Sequence, residues 1–327
     1  MGGAGPNIAE IHALRDRLSA QILRTPVMRC ASIEEVLGGN TQVFAKLEFL
    51  QRTGTFKARG ALATLHGLSA KQRKSGVTAV SAGNHAIATA YAAQAVGTTA
   101  KVVMLSSANR SRITACKSYG AEVVIVDDVH RAFDVAQQIQ DEEGRVFVHP
   151  FEGKSVALGT GTVGLEIHEQ VDNFDALLVP VGGGGLIGGV SNAIKQLRPE
   201  VEIIGVEPEG ADTMHRSFAS GKPESIEKVT TIADSLGAPF ALPYSFGLTR
   251  KNVDRLAMVD DLQLRKAMGF LFNSMKIAVE PACATTTAAL LGPLRESLRG
   301  KQVVLLLCGS NIDWETFSSQ AIFDDVD

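Results

Sequence analysis

Pro180-Val181-Gly182-Gly183-Gly184-Gly185-Leu186 sets four consecutive glycines between an apolar run and a segment of helical spacing. Successive backbone N–H groups in such a loop, at a helix N-terminus, suit a terminal phosphate. The same stretch also contains Gly183-x-Gly185-x-x-Gly188, with Glu207 about 20 residues on, which is the pattern of a dinucleotide site. Four glycines in a row exceed what that tight turn needs, so one wrapped phosphate is preferred to a dinucleotide. A second match, Gly159-x-Gly161-x-x-Gly164, has no strand immediately before it. Two further stretches hold reactive groups: Lys57 within Lys46 to Ala61, and Ser81-Ala82-Gly83-Asn84-His85-Ala86 where a strand gives way to a helix. Taken singly, the lysine reads as solvated and Ser-x-Gly-Asn as an ordinary N-cap. Other chemistries drop out. No Ser sits in a G-x-S-x-G elbow, His168-Glu169 lacks the second histidine of a zinc helix, and Gly153-Lys154-Ser155 has Val148 where a P-loop needs glycine.

The elements that must position these groups follow from apolar periodicity. Strands are expected at Val43–Ala45, Val77–Val80, Lys101–Met104, Glu122–Val126, Val146–Val148, Ala176–Val181, Val201–Glu207 and Gln302–Cys308. Amphipathic helices are expected over Ile87–Ala95, Ala132–Ile139, Leu186–Leu197 and Ala284–Leu298. Strand–helix alternation with nearly continuous apolar strands predicts parallel sheets covered on both faces. Ile8, Ile11, Leu14, Leu18 and Ile22 lie on one stripe, which predicts one helix through the first thirty residues. The tail Asp324-Asp325-Val326-Asp327 is expected to fray. With 327 residues, 45% of them hydrophobic, and a net charge of −3, the chain can build a full core and is no candidate for disorder. The near-neutral balance argues against nucleic acid or a membrane surface as partner. Cys30, Cys116, Cys283 and Cys308 lie far apart, suiting a reducing compartment, and the start lacks a basic then apolar leader. Val303–Cys308, the longest apolar run, is too short to span a bilayer, so a cytoplasmic protein is expected.

The lysine segment, the Ser81–Ala86 segment and the glycine loop, in that order, resemble the threonine dehydratase and serine racemase branch of the fold-type-II pyridoxal phosphate enzymes. Tyr119-Gly120-Ala121-Glu122, Gly205-Val206-Glu207-Pro208, Val279-Glu280-Pro281-Ala282 and Cys308-Gly309-Ser310-Asn311 extend the resemblance from about residue 20 to 315. It implies an α/β fold of two interleaved open twisted sheets, tryptophan synthase beta-like, with the cofactor in the cleft between them. A large domain would comprise residues 1–69 and 156–327, and a small one residues 70–155 would carry the asparagine loop. Lys57 would form the Schiff base with pyridoxal 5'-phosphate and take the Cα proton of the substrate. Gly182, Gly183, Gly184, Gly185 and Leu186 would hold the phosphate, Asn84 the ring's 3-oxygen, and Phe56 would pack near the ring. Ser81, Ala82, Gly83, Asn84 and His85 would grip the substrate carboxylate, with Thr55 and Ser235 also near the substrate. Cys308 would face the pyridine nitrogen as a neutral group, which favours prompt β-elimination.

The implied reaction is dehydration and deamination of a β-hydroxy amino acid such as L-threonine or L-serine to a 2-oxo acid and ammonia. The alternatives are another β-hydroxy amino acid (3-hydroxyaspartate or phenylserine), an amino-acid racemase, or an NAD-dependent Rossmann dehydrogenase. Racemases of this branch carry a serine where Ala82 stands, and a methyl cannot move a proton. A divalent cation is implied at Glu207 and the carbonyl of Ala211, but Thr213 replaces the expected Asp, so the oxygen set is short by one carboxylate. Ser235 and Ser310 stand where glycine is usual, Ile87 replaces a frequent Gln, and Leu158 is bulkier than usual. These changes leave the substrate's side chain open. A homodimer is implied. Because the resemblance consumes the chain by about residue 315, feedback control through an appended C-terminal module is not expected.

Overall fold

The computed structural model describes residues 3–323. Met1, Gly2 and the acidic tail 324–327 lie outside the described residues. Ten strands run as β1 (Val27–Arg29), β2 (Gln42–Leu47), β3 (Val77–Val80), β4 (Ala100–Leu105), β5 (Glu122–Val126), β6 (Val146–Phe147), β7 (Ala176–Pro180), β8 (Glu202–Pro208), β9 (Arg255–Val259) and β10 (Gln302–Leu307). They form a six-stranded sheet in the order β1-β2-β10-β7-β8-β9 and a four-stranded sheet in the order β5-β4-β3-β6. All pairings are parallel except β1 with β2, which is antiparallel and departs from the all-parallel expectation.

The central strands were legible because parallel strands covered on both faces are apolar throughout: β7 is buried at every position and β10 at all but its first. The two strands that the sequence pattern does not announce, β1 and β9, lie at the edges of the larger sheet and are mostly part-exposed. The first helix also departs from expectation. It spans Ile8–Leu18, with an Asn7–Glu10 capping box, and the chain then turns. Ile22 is buried from that turn rather than from the helix. Pro26, which follows, holds Thr25 out of the helical region.

Four helices knit the two sheets together. The helix Lys57–His66 packs between Asn84–Ala95, which covers the smaller sheet, and Lys154–Gln170, which packs in turn on Gly185–Leu197. Gly159 lies inside the helix Lys154–Gln170, so its Gly-x-Gly pattern is no nucleotide turn. A Cβ there would stand 2.7 Å from Gly60 Cα, so glycine lets the two helices approach closely. Across this junction runs a buried ion network. Arg59 donates to both Glu48 oxygens at 2.8 Å and to Glu166 at 2.7 and 2.9 Å, while Lys46 Nζ lies 2.6 Å from Glu166. No helix among the described residues is long and apolar enough to cross a membrane.

Candidate active site

The carboxyl ends of β3 and β6 in one sheet face those of β7 and β10 in the other across a cavity of about 830 Å³. Ligand sites in open α/β sheets form at such strand ends. The chain after β3 supplies Ser81–His85, after β6 His149–Phe151, after β7 Gly182–Leu186 and after β10 Cys308. Lys57 enters from the helix it begins. Its position is fixed by the preceding segment, where Thr55 bridges to Gly309 and Phe56 N donates to Cys308 O at 3.2 Å. The lysine and the cysteine, distant in sequence, are thus stitched to one another through backbone.

Lys57 Nζ donates to Pro150 O at 2.8 Å, and burial lowers its pKa to about 8. Such an amine is readily available in its nucleophilic, unprotonated form. Cys308 is buried, and the adjoining Cys283 thiol together with burial pushes its pKa well up, so it stays a neutral thiol. Gly184 has φ +86°, the left-handed region, at the entry to the helix Gly185–Leu197. Among the described residues no protein acceptor takes the N–H groups of Gly182, Gly183 or Gly184. The same is true of the N–H groups of Ala82, Asn84 and His85 at the start of the helix Asn84–Ala95. Two sets of open amides at two helix N-termini therefore face one cavity, each suited to an anion.

The Asn84 amide is fixed from both sides. Its Nδ2 donates to Glu280 at 2.8 and 3.0 Å and to Ser235 Oγ at 3.1 Å, and its Oδ1 accepts from Asn311 Nδ2 at 2.8 Å. Glu280 is buried, which raises its pKa. Behind the asparagine loop, Arg112 donates to Asp234 at 2.6 Å and lies 3.7 Å from Glu280. His85 Nε2 bonds Val148 O at 2.8 Å, and burial lowers its pKa to about 3, so the ring is neutral.

Of the residues expected at the site, Phe56, Lys57, Ser81, Ala82, Gly83, Asn84, His85, Gly182–Leu186, Ser235 and Cys308 all line the cavity. Thr55 does not. It is buried, and its hydroxyl accepts the Lys57 backbone N–H at 3.2 Å. Glu207 and Ala211 lie elsewhere: Glu207 accepts from the N–H groups of Met214 and His215 at 2.8 Å and from His215 Nδ1 at 2.7 Å. The carboxylate expected to hold a cation, or the ribose of a dinucleotide, instead caps the helix Thr213–Ser220. Asp212, the other nearby acid, pairs with Arg216. Among the described residues no group of three or more His, Cys, Asp or Glu is placed to hold a metal ion. Glu280, Arg112 and His149 gained no role from the sequence. Glu280 stands in one of the resembling motifs, whereas nothing local marks the other two.

The donors present fit pyridoxal phosphate: open amides at a glycine turn for its phosphate, an amine for its aldehyde, and a neutral thiol for its ring nitrogen. Residues 18–309 match the sequence profile of the family described as Pyridoxal-phosphate dependent enzyme. Over 313 residues the chain is 52% identical to the phenylserine dehydratase of Ralstonia pickettii, covering 96% of this chain and 95% of that one. It is 39% identical to the L-threonine ammonia-lyase of Thermotoga maritima, over 94% of this chain and 76% of that one. The solved structure of maize serine racemase superposes with a TM-score of 0.91 at 34% identity, covering 97% of each chain.

Proposed function

The chain belongs to the pyridoxal-phosphate dependent enzymes, and from that membership we propose that it dehydrates and deaminates a β-hydroxy amino acid bearing an aromatic or other bulky apolar β-substituent, with phenylserine as the reference compound. The observation that carries the reaction type is the half-buried Lys57 amine, facing a cavity between two sets of open backbone amides. Pyridoxal phosphate, when bound, withdraws electrons from the substrate's Cα and so acidifies its proton. Lys57 is the base for that proton. The Ala82, Asn84 and His85 amides hold the substrate carboxylate, and the Gly182–Gly184 amides hold the phosphate of the cofactor. As the Cβ–O bond breaks, the proton gained at Nζ is the one that balances departure of the oxygen as water. Deamination then gives a 2-oxo acid and ammonia. On the face where Ala82 lies, the methyl offers no second proton-transfer group, which disfavours racemisation.

Preference for a bulky apolar substituent rests on the cavity lining, which includes Phe133, Phe151, Ile226, Val229 and Phe240. It rests also on the 52% identity to a protein named for phenylserine. Purified protein loaded with pyridoxal phosphate, assayed for 2-oxo acid release from phenylserine, threonine, serine and 3-hydroxyaspartate, tests both parts. The highest kcat/KM is expected on phenylserine. No release from any of the four would overturn the reaction, and a clear preference for threonine or 3-hydroxyaspartate would overturn the substituent. Lys57→Ala should abolish release and leave no pyridoxyl group on this peptide after borohydride treatment.

A further inference from the structure

His149 stands on the cavity wall in the turn that touches Lys57, since Lys57 Nζ bonds the next residue's carbonyl. Its Nδ1 accepts two backbone N–H groups, from Phe151 at 3.2 Å and Glu152 at 2.9 Å. A nitrogen that accepts carries no proton, so in the neutral ring the proton sits on Nε2. The ring is held between Phe147 and Phe151, with centroids 6.1 and 4.6 Å away and edge-to-face angles of 71° and 89°. Flipping it would leave the Phe151 and Glu152 N–H groups without their acceptor. The turn is further anchored by Glu152, whose carboxylate takes the N–H groups of Tyr244 and Ser245 at 2.7 and 3.0 Å. Nε2–H is thus a donor of fixed tautomer and orientation. Among the described residues nothing accepts from it.

Of the other polar groups nearby, Ser235 Oγ accepts from Asn84 and donates to Asp234, and Arg112 is paired with Asp234. Ser81 Oγ accepts from Gly83 N, and its O–H turns about a rotatable bond rather than being fixed in direction. A β-hydroxy amino acid presents three polar sites: an amine for the cofactor, a carboxylate for the amides at Ala82, Asn84 and His85, and a β-oxygen. We propose that His149 Nε2–H is the donor that holds this β-oxygen and orients it for departure beside Lys57. The inference rests on the reading of the reaction given above. Burial lowers the pKa of His149 to about 4, so the ring orients the oxygen without supplying the proton that completes water. That proton is the one Lys57 Nζ has taken from Cα.

His149→Asn keeps an acceptor near the position of Nδ1 for the turn but leaves nothing at the position of Nε2. The probe is a pair of amino acids with one carbon skeleton, phenylserine and its β-chloro counterpart, because chloride leaves without needing a donor. In the pyridoxal-phosphate-loaded variant, kcat on the hydroxy compound should fall about tenfold or more, the loss of one hydrogen bond. On the chloro compound kcat should stay within about threefold of the native value, and the visible band of the bound cofactor should be unchanged. An equal loss on both compounds, or no loss on either, would overturn the proposal. Should His149→Asn fail to fold or to take up the cofactor, His149→Gln makes the converse test, carrying an N–H toward the Nε2 position without the turn acceptor. Its ratio of hydroxy to chloro turnover should match the native ratio, and a ratio at least tenfold lower would overturn the proposal. If the native protein releases no 2-oxo acid from any β-hydroxy compound, the reading of the reaction fails. If it does and the variants show no selective loss, only the role of His149 fails.

Discussion

Lys57 gives its hydrogen bond to a neutral carbonyl, Pro150 O, while burial takes its pKa down to about 8. Desolvation penalises the charged amine, and the opposing pull of Cys308 and Glu280 does not cancel that penalty. Only the unprotonated amine can attack an aldehyde. The cofactor-free protein should therefore regain visible absorbance on adding pyridoxal phosphate at a rate that rises with pH, with a midpoint near 8. Stopped-flow mixing across a pH series checks this. A midpoint near the ordinary lysine value of about 10 would mean that the amine is solvated before the cofactor arrives. His85 and His149 contribute differently, because burial keeps both neutral and each ring nitrogen's role is then set by its backbone partner.

At the level of elements, the site is a meeting of strand ends. Each parallel strand delivers its following loop to the same edge of its sheet, so loops after β3, β6, β7 and β10 converge without any being adjacent in sequence. The loop after β7 depends on one backbone conformation. Gly184 has φ +86°, and a Cβ there would stand 2.8 Å from Met214 Cε. Gly184→Ala should cost about 1–2 kcal/mol in that conformation and tilt the amides away from the phosphate. Titration of the cofactor-free variant is expected to give at least tenfold weaker binding of pyridoxal phosphate, with the far-ultraviolet circular dichroism unchanged. Binding equal to that of the native chain would show that the loop tolerates the change and that the amides are not held by it.

Across the whole molecule, the helix that starts at Lys57 is gripped by ions as well as by packing. Arg59 lies fully buried between Glu48 and Glu166, which also binds Lys46, so the network joins β2, the helix Lys57–His66 and the helix Lys154–Gln170. Removing the guanidinium would leave two buried carboxylates short of their counter-ion. Arg59→Leu should lower stability by about 3–5 kcal/mol, read as a fall in the urea midpoint. Glu169→Gln breaks part-exposed pairs with Arg15 and Arg24 and should cost no more than about 1 kcal/mol. Equal effects would mean that the buried network is solvated.

Strand positions in the sheet centres, the glycine turn, the lysine and the asparagine loop were all legible in the sequence. The strands and the glycine turn rest on local chemistry, a continuous apolar run and residues without Cβ, whereas the lysine and the asparagine loop, each bland by itself, stood out only through the order of motifs along the chain. The edge strands β1 and β9 were not legible, because they are short and part-exposed and are defined by a neighbour rather than by their own pattern. Nor was the early end of the first helix, where Ile22 continues the stripe but is buried from a turn. The employment of side chains was decided only in three dimensions. Glu207 reads as a ligand in sequence and is a helix cap in the fold, while Thr55 turns its hydroxyl to its own backbone. Conversely, Glu280, Arg112 and His149 enter the site from segments far apart in the chain, brought there by the convergence of strand ends. Sequence determined which reactive groups the protein owns, because residue type and local spacing fix intrinsic chemistry. Which of those groups are free to act was decided by tertiary structure, because hydrogen bonds made across the chain use up some donors and acceptors and leave others open.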